Sequence, residues 1–297
     1  MGRASTMLIN KDDITEKVKN CLIKASTTFS EDKKESYRRA IERENIPAAK
    51  WVLETILQNA LVAEETSSPL CDDTGIPHLV LETGKNQNIN GQLIDFIHEG
   101  ICTGLHALPG RPMAINGNDI QRIEQSAGLN IDPGALLPSP VIIKPVNEDV
   151  VRLHILMHGG GPEIRAKTFR VFHKHKMSVV IDEIVNWAVE GSSLIGCTPV
   201  TLAIGIGRSH FEASSLMTDA IVFGNYNKQT ETETEITERV NKSKTGPLGL
   251  GGKNTALGTF LKVGSQRASG VRIVSLRPCC CFEPRKASVV LYGENNG

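Results

Sequence analysis

Pro69-Leu70-Cys71-Asp72-Asp73-Thr74-Gly75 is the run on which the reading of this chain turns. It sets a thiol, two carboxylates, a hydroxyl and a glycine side by side, directly after a stretch with helical periodicity. A thiolate binds a soft metal centre, and neighbouring carboxylates can bind or protonate what the metal holds. Taken alone, the run also reads as a capped turn with one buried thiol. Two cysteines far downstream add weight: Cys197 in Gly196-Cys197-Thr198-Pro199, and Cys281 ahead of Phe282-Glu283-Pro284-Arg285. Each stands beside turn-forming or cationic residues, and the three thiols are expected to meet around an iron–sulfur cluster.

Upstream of this run the chain reads as helical. Ile14, Val18, Leu22 and Ala25 recur every three or four residues, with Asn10 or Asp12 placed to cap and Cys21 beside the stripe as a core thiol. Ser30 to Glu44 reads as a charged surface helix with Tyr37 and Ile41 on one face. Pro47 suits the first turn of a third helix, whose stripe is read as Trp51, Ile56, Ala60 and Ala63. Pro69 stops it, so Cys71 is presented on a loop from a rigid element.

Downstream, Ile76 to Leu81 reads as a strand, and Asn90 caps a helix from Gly91 to about Leu105 with Cys102 as a packing residue. Arg111, set between Gly110 and Pro112, is pre-organised to fork onto a carboxylate, against the plainer reading of a surface turn arginine. A stretch rich in Gly, Pro and Asn runs to Pro140. Val150 to Met157 alternates and predicts a half-buried strand with Arg152, His154 and His158 on its outer face. It ends in Gly159-Gly160-Gly161, where main-chain N–H groups can approach an anion or cluster closely. A helix from Ser178 to Glu190, a strand from Val200 to Ile206 and a helix from His210 to Phe223 follow. A dinucleotide fingerprint would need glycine at His210. A phosphate loop would need glycine at Pro247 and a hydroxyl at Asn254, so both motifs fail. Thr230 to Lys244 is a polar run, and Lys253 can hold an anionic group or be a plain loop lysine. Strands are predicted at Ala256–Val263, Val271–Leu276 and Ala287–Tyr292. In an extended run Cys279 and Cys281 share a face and Cys280 takes the other, so at most two of them readily reach one site. These patterns predict a mixed α/β (α+β) fold. A helical segment spans 1–70, and a mixed β-sheet region flanked by helices spans 71–292, with any internal boundary in 109–140.

The 297 residues carry 33 basic and 33 acidic side chains, a balance that argues against nucleic-acid or membrane-surface binding by bulk charge. Nothing approaches the roughly 18 apolar residues of a membrane span, and the start lacks a secretory signal. Gly2 and Thr6 fit a loose myristoylation pattern, read as an ordinary terminus. Seven cysteines, an odd number in a chain of this size, indicate a reducing cytoplasm with free or metal-bound thiols.

The co-linear order of Cys71-Asp72-Asp73-Thr74-Gly75, Gly159-Gly160-Gly161, Gly196-Cys197-Thr198-Pro199, Gly249-Leu250-Gly251-Gly252-Lys253 with Thr255-Ala256-Leu257, and Cys281 with Arg285 carries a resemblance over residues 10 to 292. The spacings are 126 residues from Cys71 to Cys197 and 84 from Cys197 to Cys281. The chain resembles the α subunit, or N-terminal domain, of iron–sulfur class I fumarases and L(+)-tartrate dehydratases. That resemblance implies one α-subunit-type domain with a [4Fe–4S] cluster on three cysteines, its fourth iron free to act as a Lewis acid. It assigns Cys71, Cys197 and Cys281 as ligands, with a shift onto Cys279 or Cys280 left open. It assigns Asp73, with Asp72 and Thr74, to catalysis, and Arg111, Gly159, Gly160, Gly161, Lys253 and Arg285 to substrate. The implied reaction is reversible hydration of a small hydroxy-dicarboxylate, fumarate/malate first and tartrate next, with a separate β subunit and a hetero- or homo-oligomeric assembly. Three positions depart from the pattern: Asp72 stands where glutamine is usual, and His158 and Pro162 replace the lysine and serine around the glycines. A carboxylate at Asp72 opposes binding of a dicarboxylate unless protonated. The departures favour an alternative, a non-catalytic iron–sulfur or metal-binding scaffold or assembly protein, and a cytosolic fold with buried thiols is a third reading.

Overall fold

The computed structural model describes residues 10–293; the N-terminal pattern through Thr6 lies outside them. Its helices are α1 (Lys11–Thr27), α2 (Glu31–Arg43), α3 (Pro47–Thr66), α4 (Gly91–Ala107), α5 (Asp119–Glu124), α6 (Gly160–Arg165), α7 (Met177–Ile195), α8 (His210–Phe223) and α9 (Glu231–Asn241). Its strands are β1 (Ile76–Gly84), β2 (Ile142–Val146), β3 (Val150–His158), β4 (Lys167–Phe172), β5 (Val200–Gly207), β6 (Ala256–Val263), β7 (Val271–Cys279) and β8 (Lys286–Gly293). Three helices precede two mixed sheets, as the α+β reading expects. The described residues divide into two compact units, 10–27 with 67–157 and 286–293, and 28–66 with 158–285.

The first unit is built on a sheet of order β2-β1-β3-β8, with β1 and β2 parallel and β3 and β8 antiparallel. The periodic residues of α1 (Ile14, Val18, Leu22) and of α4 (Leu93, Ile97, Ile101) pack with Leu153, Ile155 and Met157 of β3. A side chain at Gly100 would put its Cβ 2.6 Å from that of Val18, so glycine is what lets the two helices approach. Asn90 caps α4 as expected, accepting from the Leu93 N–H at 3.0 Å. The half-buried reading of β3 needs correction, because His154 and His158 are buried as well. Cross-strand partners cover the outer face: His154 Nδ1 lies 2.6 Å from Ser288 Oγ, and its Nε2 lies 3.0 Å from Glu82 Oε2. Burial pushes the His154 imidazole below its ordinary pKa, outweighing the attraction of Glu82. Residues 109–140 fall inside this unit and carry α5, whose Ile120 and Ile123 are exposed. Cys102, expected to pack, is half-buried, with Sγ 3.8 Å from His106 Nδ1.

The second unit holds a sheet of order β4-β7-β5-β6, with β5 parallel to β6 and antiparallel to β7. Strand alternation turns Leu202, Ile204 and Ile206 of β5 toward a core shared with Ile184 and Ala188 of α7 and Ile236 and Val240 of α9. The opposite face carries Gly205 and Gly207 against α8. A Cβ at Gly205 would stand 2.1 Å from the Ala213 carbonyl oxygen. Two helix readings change. Helix α2 is no mere surface helix, since it buries Lys33, Lys34, Ser36 and Tyr37. In α3 the buried stripe is Val52, Leu53, Ile56, Ala60 and Ala63, while Trp51 is 64% exposed. Trp51 sits one residue out of the 3.6-residue register that the aliphatic positions set. The polar run after Thr230 becomes α9, opened by a Thr230–Glu233 capping box. Among the described residues no helix is long and apolar enough to cross a membrane.

Candidate functional site

In the first unit, the loop after α3 is pinned where Leu70 N–H donates to Ser26 O at 3.0 Å. Cys71 is half-buried beside exposed Asp72, with Sγ 3.4 Å from Asp72 Oδ1. Asp73 Oδ1 accepts from the Gly75 N–H at 3.1 Å, an Asx turn that Gly75 completes at φ 80°. Buried Thr74 donates its hydroxyl to the Arg111 carbonyl at 2.7 Å. That bond brings the arginine turn to the cysteine loop, leaving the guanidinium exposed and 3.8 Å from Asp72 Oδ2. So loose and exposed a pair contributes little stability, and the guanidinium stays available for a carboxylate.

In the second unit, Cys197 and Cys281 come together. The Cys281 N–H donates to the Cys197 carbonyl at 2.9 Å. Cys197 is exposed on the loop before β5, and Cys281 is buried in the turn after β7. The Cys197 loop is braced by the glycine-rich segment, since Thr198 Oγ1 donates to Gly246 O at 2.6 Å and Leu248 N–H to Thr198 O at 3.1 Å. That segment is held in turn by Glu44, which accepts from Lys253 N–H at 2.8 Å and Asn254 Nδ2 at 2.7 Å. Burial would raise the Glu44 carboxyl, but hydrogen bonds from Lys253, Ile46, Asn254 and Asn45 outweigh it and keep the group below the ordinary range. Lys253 itself is exposed and lines a cavity of about 320 Å³ with Arg43, Lys242 and Lys244.

The Cys281 turn is tied from every side. Tyr37 donates its hydroxyl to Cys281 O at 2.7 Å, and Lys33 Nζ donates to Glu283 O at 2.8 Å. Burial brings the Lys33 ammonium down to about 7, against the pull of Cys280, Cys281, Cys279 and Glu283. Its charge also rests over the Phe29 ring, 3.9 Å from the centroid. Arg277, fully buried on β7, meets Glu283 at 3.2–3.3 Å, Gly159 O at 3.1 Å, and Glu163. Glu283 Oε1 accepts from the Gly159 N–H at 2.5 Å, which joins the glycine turn to the Cys281 turn. Gly159 is buried, Gly160 and Gly161 are exposed, and Arg285 is buried. Cys279 closes β7 in the interior, and burial pushes its thiol up. The Cys281 thiol donates to the Cys280 sulfur, so Cys281 is held well above the usual value and Cys280 below it.

Among the described residues no three His, Cys, Asp or Glu side chains are grouped to hold a single metal ion. A polynuclear cluster sets its ligands on different iron atoms, farther apart than a lone ion allows. Thiols on two loops locked backbone to backbone fit such a cluster in donor chemistry and rigidity. Sequence reading missed Glu283, Arg277, Lys33 and Tyr37. The available signal was an arginine inside the apolar run before three cysteines, since a charge in a buried strand demands a partner.

Comparison with known proteins identifies the family. A protein of Escherichia coli K12 named L(+)-tartrate dehydratase subunit alpha is 25% identical over 96% of this chain and 92% of its own length. A protein of Methanocaldococcus jannaschii, provisionally named L(+)-tartrate dehydratase subunit alpha, is 29% identical over 91% of this chain and 93% of its own. A family model described as fumarate hydratase (Fumerase) matches residues 15–290, a span that includes all three candidate thiols. The chain belongs to the fumarate hydratase family.

Proposed function

We propose that this chain is the α subunit of a hydro-lyase acting on a small hydroxy-dicarboxylate, with Cys71, Cys197 and Cys281 holding a [4Fe–4S] cluster. The observation that carries the reading is the Cys281–Cys197 backbone bond, which joins two of the three assigned thiol loops within one unit. When bound, a cluster with one iron not held by cysteine supplies a Lewis acid for a substrate hydroxyl and carboxylate. The chain's own residues bind and orient the substrate. Arg111 grips a substrate carboxylate by its fork, oriented by Thr74 through the arginine's main chain. Asp73, fixed by its bond from Gly75, exchanges a proton with the substrate hydroxyl. The Gly159 N–H is taken by Glu283, so the exposed Gly160 and Gly161 main chain and the cations of Lys253 and Arg285 balance substrate charge. The relatives' names bring a β subunit into this reading, and that partner supplies the remaining groups. The family name favours fumarate/malate and the relatives' names favour L(+)-tartrate.

Anaerobic reconstitution tests this directly. The wild-type chain is expected to take up about four irons with visible absorbance, as a [4Fe–4S] centre requires. Cys71→Ser, Cys197→Ser and Cys281→Ser each lose that absorbance, while Cys21→Ser and Cys102→Ser keep it. Water addition to fumarate and loss from L-malate and L(+)-tartrate are then followed with the β subunit present. A cluster unchanged by Cys197→Ser or Cys281→Ser refutes the ligand set. A brown complex inert toward all three acids leaves a scaffold in place of an enzyme.

A further inference from the structure

The buried Arg277–Glu283 pair has no ready explanation as a stabilising device. Taking two charges out of water costs several kcal/mol per ion, and apolar residues of similar volume often serve stability as well. What distinguishes the pair is where its hydrogen bonds go. Glu283 Oε1 takes the Gly159 N–H at 2.5 Å and Arg277 Nη2 takes the Gly159 carbonyl at 3.1 Å, so one ion pair holds both polar atoms of a single glycine. Glu283 also belongs to the Cys281 turn, whose carbonyls at Cys281 and Glu283 are held by Tyr37 at 2.7 Å and Lys33 at 2.8 Å. Both carboxylate oxygens of Glu283 lie 3.2 Å from Arg277 Nη2, and the residue is 1% exposed. The glycine turn has no side chains of its own with which to fix its position. A neighbour must do it, and the neighbour here is two residues from a candidate thiol ligand.

We propose that Glu283 is a positioning residue which, with Arg277, clamps the Gly159–Gly161 turn to the Cys281 turn and so keeps the glycine N–H groups in register with the third thiol. The proposal rests on the functional reading above for what the turn binds; the clamp itself is a statement about the chain alone. A polar contact surface misplaced by about 1 Å can cost on the order of a hundredfold in rate. A clamp at this point therefore bears on turnover as well as on folding.

The test compares wild type, Glu283→Gln and Thr237→Val, the last a buried change on α9 away from the thiols that serves as a stability control. Hydrogen exchange of the full chain without metal is read over residues 157–165. Glu283→Gln is expected to speed exchange there roughly tenfold, because a neutral amide binds Arg277 less tightly and loosens Gly159. Thr237→Val, which also lowers thermal stability, is expected to leave that segment unchanged. In the reconstituted complex with the β subunit, Glu283→Gln keeps wild-type iron content and visible spectrum, while kcat/KM for the dicarboxylate falls about ten- to a hundredfold. Unaltered exchange at 157–165 overturns the clamp whether or not the complex is active. Faster exchange with unaltered kcat/KM in an active complex overturns its positioning role. A wild-type complex without iron or turnover overturns the functional reading and leaves the exchange result to decide the clamp.

Discussion

Arg277→Met should be among the most damaging single changes in the second unit. The guanidinium is fully buried and Glu283 is 1% exposed, so removing the cation strands a carboxylate in the interior with the Gly159 N–H as its nearest donor. Breaking a buried ion pair from one side costs about 3–5 kcal/mol, and losing the donor to Gly159 O adds about 1 kcal/mol. At roughly 2–4 °C per kcal/mol for chains of this size class, the melting point should fall by about 8–24 °C. The double variant Arg277→Met/Glu283→Gln removes the stranded charge while keeping an oxygen for the Gly159 N–H, and should recover about 2 kcal/mol of the loss. Equilibrium urea unfolding of the metal-free chain checks this, followed by circular dichroism and by the fluorescence of Trp51 and Trp187. Coincidence of the two signals licenses a single free energy. An Arg277→Met chain within about 1 kcal/mol of wild type, or a double variant less stable than either single one, would refute the reasoning.

Three further outcomes are expected. Glu44 has its folded pKa held below the ordinary value of 4.5, so the stability it contributes is full above that pH and drains away as pH falls through the lowered value. Urea titrations between neutrality and acid should show that slope in wild type and a flatter one in Glu44→Gln, and equal slopes would discount the group. Gly205→Ala drives a methyl into the main chain of α8, 2.1 Å from Ala213 O, and should cost about 1–3 kcal/mol or more in urea unfolding. Asp72→Gln removes a negative charge close to Arg111, and with the β subunit present KM for a dicarboxylate should fall about fivefold, equivalent to roughly 1 kcal/mol of relieved repulsion. A higher KM would mean that Asp72 assists binding.

The apolar period of α1 and α4, the Asn90 cap, the stop at Pro69 and the helix from His210 were legible because each depends on neighbours a few residues away. The three cysteine-bearing loops were legible for the same reason, as turn residues flank each thiol. Trp51 was misread because a large apolar side chain masks a one-residue phase error in an otherwise regular stripe. The outer face of β3 was misread because local alternation cannot report that Glu82 and Ser288 arrive from strands 72 and 134 residues away.

Local sequence therefore determined most of the longer helices and strands, but not α5, α6, β2 or β4, and it determined which loops carry thiols and carboxylates. Tertiary structure decided that Cys281 would bond to Cys197, that Arg277 would find Glu283 and Gly159, and that Lys33 of α2 would be buried against the Cys281 turn. The division has a physical basis. Periodicity, capping and turn preference act over a few residues of chain. The pairing of buried charges is settled when distant segments share a core, where an unpartnered ion costs more than any local preference can offset.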